Sequence, residues 1–156
     1  MHHPAVFYDR DNTLIIDRVY LNDPNDIHYL PGVFDSLWRV QNAGYKIIVV
    51  TNQSGVPRGL VQLDNLHEIH RRIRADFAFN GVHIDGFYYA PFLPNSGHPM
   101  RKPGTGMLLE AAFDHDIDLK SSWMVGDRMT DVEAGHRAGC RSVFLEGTEE
   151  HNTEEY

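Results

Sequence analysis

A single cysteine, Cys140, stands in a chain of 156 residues, which excludes an internal disulfide and any Cys₃ or Cys₄ metal centre. It lies in Ala138-Gly139-Cys140-Arg141, just ahead of a strand-like run, where a small buried hydrophobe is expected rather than a nucleophile. Long apolar runs are missing too; none approaches the ~20 residues needed to span a bilayer. Met1-His2-His3-Pro4 leads directly into strand-like residues, so no leader is expected. Positive charge is scarce, with 14 Lys and Arg against 22 Asp and Glu, a formal net charge of −8. That balance argues against sequence-independent nucleic-acid binding, in which neutralised phosphates supply most of the affinity. No repeat, linker or second domain is visible. The expectation is a cytoplasmic, monomeric protein with no membrane or nucleic-acid partner, one domain over residues 1–146 and an acidic, flexible tail over 147–156.

What is present is ordinary globular composition, 42% hydrophobic and 23% charged, so a packed core is expected. Two patterns alternate along it. Runs rich in β-branched and aromatic residues predict strands at Ala5–Tyr8, Lys46–Val50, Gly86–Ala90, Ser122–Val125 and Ser142–Leu145. Near-continuous apolar character suits strands covered on both faces. Between them, helices are predicted from Val33 to Asn42, from Leu63 to near Gly81, from Thr105 to about His115, and from Met129 or Thr130 to Ala138. In the second helix Leu63, Leu66, Ile69, Ile73 and Phe77 recur at three- and four-residue steps, while Arg71, Arg72 and Arg74 read as a solvated face. Strands alternating with helices predict an α/β fold, a doubly wound parallel sheet.

The polar clusters fall at the carboxyl ends of those strands, where doubly wound sheets bind ligands. Asp9-Arg10-Asp11-Asn12-Thr13 follows the first strand, and residues i and i+2 leaving a strand can turn two carboxylates into one pocket. Two such groups disfavour joint ionisation, and a divalent cation relieves that; an Asp-rich turn is the simpler alternative. Oxygen ligands suit Mg²⁺. Thr51-Asn52-Gln53-Ser54-Gly55 offers a hydroxyl and backbone N–H groups for an anion, or a plain turn. Arg101-Lys102-Pro103-Gly104 precedes a helix and offers a point charge, or an exposed basic loop. Gly126-Asp127-Arg128-Met129-Thr130-Asp131 adds acid after the fourth strand; Asp131 can pair with Lys102 or serve the helix N-terminus. Arg10, Arg58, Arg101, Lys102 and Arg128 gather beside these clusters in an acidic chain, which suggests a small anionic ligand.

In this order, Asp-x-Asp-x-Thr, Thr-Asn, Lys-Pro and Gly-Asp-x-x-x-Asp resemble the four motifs of the haloacid-dehalogenase superfamily, from Asp9 to about Gly139. Thr51-Asn52-Gln53-Ser54-Gly55, Arg101-Lys102-Pro103 and Gly55-Val56-Pro57-Arg58-Gly59 are similar to its branch of heptose-bisphosphate and histidinol-phosphate phosphatases. The resemblance implies a three-layer α/β/α fold without a large cap and a Mg²⁺-dependent phosphatase for a small phosphosugar. A nucleic-acid 3′-phosphatase is the more distant alternative. It implies that Asp9 attacks phosphorus and that Asp11 is the acid and base. Thr51, Asn52 and Lys102 would hold the phosphoryl oxygens. The metal would be held by Asp9, Asp127 and the backbone carbonyl of Asp11, so that acids of the first loop and one of the fourth converge on one cation. Arg58, Arg101 and Arg128 would contact substrate, and Asp131 and Thr13 would support the site from behind. Position 12 is Asn where Gly is usual, and Asn tolerates positive φ. Relatives carry a Cys/His zinc loop before the lysine; here that stretch, Ala90 to Met100, has no cysteine and only His98, so zinc is not expected. A signalling receiver domain is excluded by position, because Tyr89-Ala90-Pro91 carries no aspartate.

Overall fold

A computed structural model describes residues 2–146 of the chain. Five strands form one sheet: β1 Ala5–Tyr8, β2 Lys46–Asn52, β3 Gly86–Ala90, β4 Trp123–Gly126 and β5 Arg141–Phe144. All four pairings are parallel, in the order β3-β2-β1-β4-β5. Helices α1 Val33–Asn42, α2 Leu63–Phe79, α3 Gly106–His115 and α4 Met129–Ala138 link them. Each predicted strand and helix is present, within a residue or two at its ends. Strand β2 runs past Val50 because Thr51 and Asn52 pair with Tyr89 and Ala90 of β3. Two short 3₁₀ turns, Pro24–Asp26 and Leu119–Ser121, carry no periodic signal and were not predicted. The expected tail at 147–156 lies outside the described residues.

Alternation along the strands divides the core in two. Val6, Tyr8, Ile47 and Val49 face α1 and α2, packing with Leu37, Ile69, Ile73 and Phe77. Their neighbours Ala5, Phe7, Ile48, Val50 and Met124 face α3 and α4, packing with Met107, Leu108, Ala111 and Ala134. Side chains pointing to opposite faces on successive residues, with helices over both, give the three-layer arrangement. Fully burying one such Ile, Leu or Phe contributes roughly 1.5–3 kcal/mol, so α2 is held by its apolar stripe rather than by its own propensity.

Three expectations change. Leu63 begins the stripe in sequence but is 44% exposed, since it opens α2 beyond the edge of the core. Coverage on both faces fails at the end of the sheet, where Val143 and Phe144 are 38% and 40% exposed. The arginines of α2 are not one solvated face. Arg71 pairs with Glu68, yet Arg72 also donates to the Pro24 carbonyl at 3.1 Å, and Arg74 to that of Ile84 at 2.6 Å. Long side chains reach backbone acceptors that no sequence pattern reports.

The chain moves from β1 outward through β2 and β3, then returns to β4 on the other side of β1. The strand order therefore reverses at β1, and the carboxyl ends of β1 and β4 meet there. The Asp9 N–H donates to the Val125 carbonyl at 3.0 Å, so the residues after both strands share one crevice.

Candidate active site

Four segments from different parts of the chain close around that crevice. Asp9 follows β1, Thr51 and Asn52 end β2, Lys102 sits in the loop after β3, and Asp127 follows β4. Lys102 is 2% exposed and its ammonium is fully engaged. It donates to Asp9 Oδ1 at 2.9 Å, Asp131 Oδ1 at 2.6 Å and the Val50 carbonyl at 2.9 Å. Burial alone would depress its pKa, but Asp131 and Asp9 more than offset that and raise it, so Lys102 stays charged.

The acids outnumber this cation. Asp9, Asp127 and Asp131 are all buried, and each offers a carboxylate oxygen within 4.8 Å of the others. Burial, then the charges of Asp9 and Asp131, pushes the Asp127 carboxyl up to about 7. Burial, then Asp9, pushes Asp131 up to about 6, with Lys102 opposing. Asp131 uses both oxygens, the second accepting the Arg128 N–H at 3.1 Å in a capping contact at the start of α4. The two alternatives left open for this residue are thus both realised. Asp127 is different: Oδ2 is reached by Asn12 Nδ2 at 3.4 Å, whereas Oδ1 is buried with no hydrogen-bond partner among the described residues. An unpaired carboxylate oxygen there, beside a second carboxylate, fits an oxygen-seeking cation.

The third side chain of this group is Asp131, not Asp11. Asp11 Oδ1 and Oδ2 instead accept from Arg10 Nε and Nη2 at 3.0 and 3.1 Å, and Gln53 Nε2 approaches Oδ2 at 3.4 Å. A bidentate guanidinium contact draws the carboxylate to the pocket wall. Burial raises the Asp11 pKa, with the Arg10 charge opposing. Asn12 holds φ +62°, the left-handed conformation expected where Gly is usual.

The remaining expected residues divide between the pocket and its supports. Asp9, Asp11, Asn52, Lys102, Arg128 and Asp131 line one cleft. Within it, however, the Asn52 amide is turned to the lysine loop, donating to the Lys102 carbonyl at 3.1 Å and accepting its N–H at 2.9 Å. Thr51 is 1% exposed behind the wall, its hydroxyl accepting from Gln53 at 2.8 Å. Thr13 is buried, its hydroxyl without a hydrogen-bond partner among the described residues. Arg101 is buried and donates to the Phe92 carbonyl at 3.2 Å. Arg58 is exposed, its guanidinium 5.9 Å from the centre of the Tyr20 ring. His98 stacks on Phe92 at 3.6 Å, and its Nδ1 accepts the Met100 N–H. Asp17, Tyr20, Gln53 and Thr130 also line the cleft and escaped the sequence reading. Gln53 was legible inside the Thr-Asn motif, but nothing along the chain links Tyr20, 11 residues after Asp9, to the site.

Comparison with known proteins decides the family. A HAD-hydrolase-like family model matches residues 99–155. D-glycero-D-manno-heptose-1,7-bisphosphate 7-phosphatase of Thermosynechococcus vestitus is 37% identical over 94% of this chain and 80% of its own. The chain belongs to the haloacid-dehalogenase-like phosphatases. D-glycero-beta-D-manno-heptose-1,7-bisphosphate 7-phosphatase of Vibrio cholerae is 36% identical over 99% of this chain and 87% of its own. D,D-heptose 1,7-bisphosphate phosphatase of B. bronchiseptica, crystallised with magnesium and phosphate, superposes with a TM-score of 0.83. It shares 31% identity over 90% of this chain and 79% of its own. This haloacid-dehalogenase-like chain is accordingly a phosphoric monoester hydrolase, and its sheet, helices and crevice are those of that fold.

Proposed function

We propose that this phosphatase is Mg²⁺-dependent and removes the 7-phosphate of D-glycero-D-manno-heptose 1,7-bisphosphate through a phosphorylated Asp9. The observation that carries the metal reading is the buried, unpaired Asp127 Oδ1 next to Asp9, whose own Oδ1 is already taken by Lys102. Asp9 and Asp127 would hold the ion with the backbone carbonyl of Asp11. Asp131, with both oxygens engaged, would support Lys102 instead. When bound, Mg²⁺ would supply positive charge to the phosphoryl oxygens and offset repulsion between them and the carboxylates.

The chain's own residues supply the rest. Asp9 is the nucleophile: a carboxylate oxygen attacks phosphorus as the ester oxygen leaves, and water then splits the aspartyl phosphate. Asp11 gives its proton to the departing alkoxide and takes one from that water. Lys102 neutralises phosphoryl charge, held by Asn52 through its backbone and by Asp131 through its side chain. The Thr51 hydroxyl lies behind the wall and supports Gln53. Arg58, Arg101 and Arg128 stand around the cleft with charge suited to the rest of an anionic substrate. The names of the relatives favour heptose bisphosphate over histidinol phosphate, which none of those described carries.

Phosphate release across a panel tests this reading: both heptose-bisphosphate anomers, histidinol phosphate, simpler sugar phosphates and a 3′-phosphorylated oligonucleotide. Activity is expected to peak on one heptose anomer, vanish in EDTA, return with Mg²⁺ and be absent in Asp9→Asn. Turnover by Asp9→Asn removes it as nucleophile, restoration by Zn²⁺ alone removes the metal assignment, and preference for another ester removes the substrate.

A further inference from the structure

Arg10 is 1% exposed, the largest of the fully buried side chains. Two of its nitrogens hold Asp11, as described, and the third faces His70: Nη1 lies 3.1 Å from Nε2 of that ring. A guanidinium has donors only, so Nε2 must accept, which places the imidazole hydrogen on Nδ1. His70 is 6% exposed on the inner stripe of α2, and its ring stacks on Phe87 of β3 with centroids 4.8 Å apart and planes 19° apart. Burial, then the neighbouring Arg10, holds its pKa well below the ordinary value, so the ring is neutral. A chain of contacts therefore runs from the core, through a fixed imidazole and a buried guanidinium, to the carboxylate on the pocket wall.

We propose that His70 is a positioning residue for the reaction, setting the orientation of the Asp11 carboxylate through Arg10. This rests on the acid–base reading of Asp11. An aspartate side chain alone rotates about two bonds, and the fork contact fixes the plane of its carboxylate. The fork is itself a long side chain, and His70 is the partner that holds the third nitrogen. Without an acceptor there, a buried N–H loses its partner at a cost of about 1–3 kcal/mol, which Arg10 relieves by swinging away and releasing Asp11. The proton that Asp11 delivers must reach one ester oxygen, so a turned carboxylate slows ester cleavage without weakening substrate binding.

The test compares kcat/KM on two esters, since this ratio reads only the steps up to ester cleavage. One is the alkyl phosphate turned over best in the panel above, whose alkoxide needs a proton. The other is p-nitrophenyl phosphate, whose phenolate leaves without one. His70→Leu is expected to lower kcat/KM ~10–100-fold for the alkyl ester, through kcat rather than KM, and ~3-fold or less for the aryl ester. His70→Gln, whose amide oxygen can accept from Arg10, should return the alkyl value to within ~5-fold. Asp11→Asn should show the same leaving-group pattern, and adding His70→Leu to it should cost nothing more, because both act through one group. Equal loss on both esters, failure of glutamine to rescue, or further loss in the Asp11→Asn background overturns the proposal. If Asp11→Asn slows both esters equally, the acid–base reading is what falls, and the inference falls with it.

Discussion

Replacing Lys102 by methionine keeps its bulk and removes its charge, and the consequence can be worked from the geometry. The ammonium lies 2.6 Å from Asp131 and 2.9 Å from Asp9. Charges about 3 Å apart at an effective permittivity of about 20 attract by roughly 6 kcal/mol, before either is charged for leaving water. Methionine is spared the lysine's own desolvation, so the net loss is smaller, about 3–5 kcal/mol for a buried pair broken on one side. That is a large part of an ordinary domain's 5–15 kcal/mol, roughly its whole margin at the lower end. Urea unfolding of the EDTA-treated protein at pH 8 should show the midpoint falling by about 1.5–2.5 M. The loss should shrink on acidification. Asp127 and Asp131 release protons near 7 and 6 when folded, against roughly 4 in the unfolded chain. The folded form therefore binds more protons between pH 4 and 7, and raising the pH through that window weakens it. The variant, lacking the ammonium, feels this most. A midpoint shift below ~0.5 M, or an equal loss at pH 5 and pH 8, would refute the reasoning, because neither fits a buried ammonium shared by the carboxylates of Asp9 and Asp131.

Gly126→Ala should disrupt the site from the strand side, since a Cβ there overlaps the Asp131 carboxylate; loss of activity with far-UV circular dichroism preserved is the expected result. Gly55→Ala places a Cβ 2.6 Å from Val61 and 2.9 Å from Tyr20, and overpacking of this kind costs ~1–3 kcal/mol in thermal or urea unfolding. Asn52→Ala removes both bonds to the Lys102 backbone and should lower kcat ~10-fold or more while leaving Mg²⁺ affinity near that of the parent; a weakened metal titration instead would place Asn52 among the ligands. Burial raises the Cys140 thiol to about 11, so the thiolate is rare below that pH; the native protein should resist thiol reagents at pH 8 and react on unfolding, and fast native labelling would contradict its burial.

The architecture was readable because hydrophobic periodicity is local. The Ile47–Val50 run, the stripe through Leu66, Ile69, Ile73 and Phe77, and the glycine after α4 mark their elements without reference to the rest of the chain. The same holds for the candidate acids and the lysine, each in a short motif at a strand end. His70, beside that stripe, was not singled out, because nothing in the local pattern says that its partner lies 60 residues earlier. The exposed ends of β5 and the tertiary bonds of Arg72 and Arg74 were not readable, because neighbour coverage and backbone acceptors are set by packing.

The residue types, their order and their placement at strand ends were determined by the amino-acid sequence alone, and these carry the family and the kind of chemistry. Which carboxylates meet was decided only in three dimensions. Asp9 and Asp11 are two residues apart, yet a buried arginine draws one aside, while Asp131, 122 positions from Asp9, completes the acidic group. The physical reason is that charge pairing depends on distances of a few ångströms, and those follow from the reversal of strand order at β1, with Lys102 drawing Asp9 and Asp131 together while Arg10 claims Asp11.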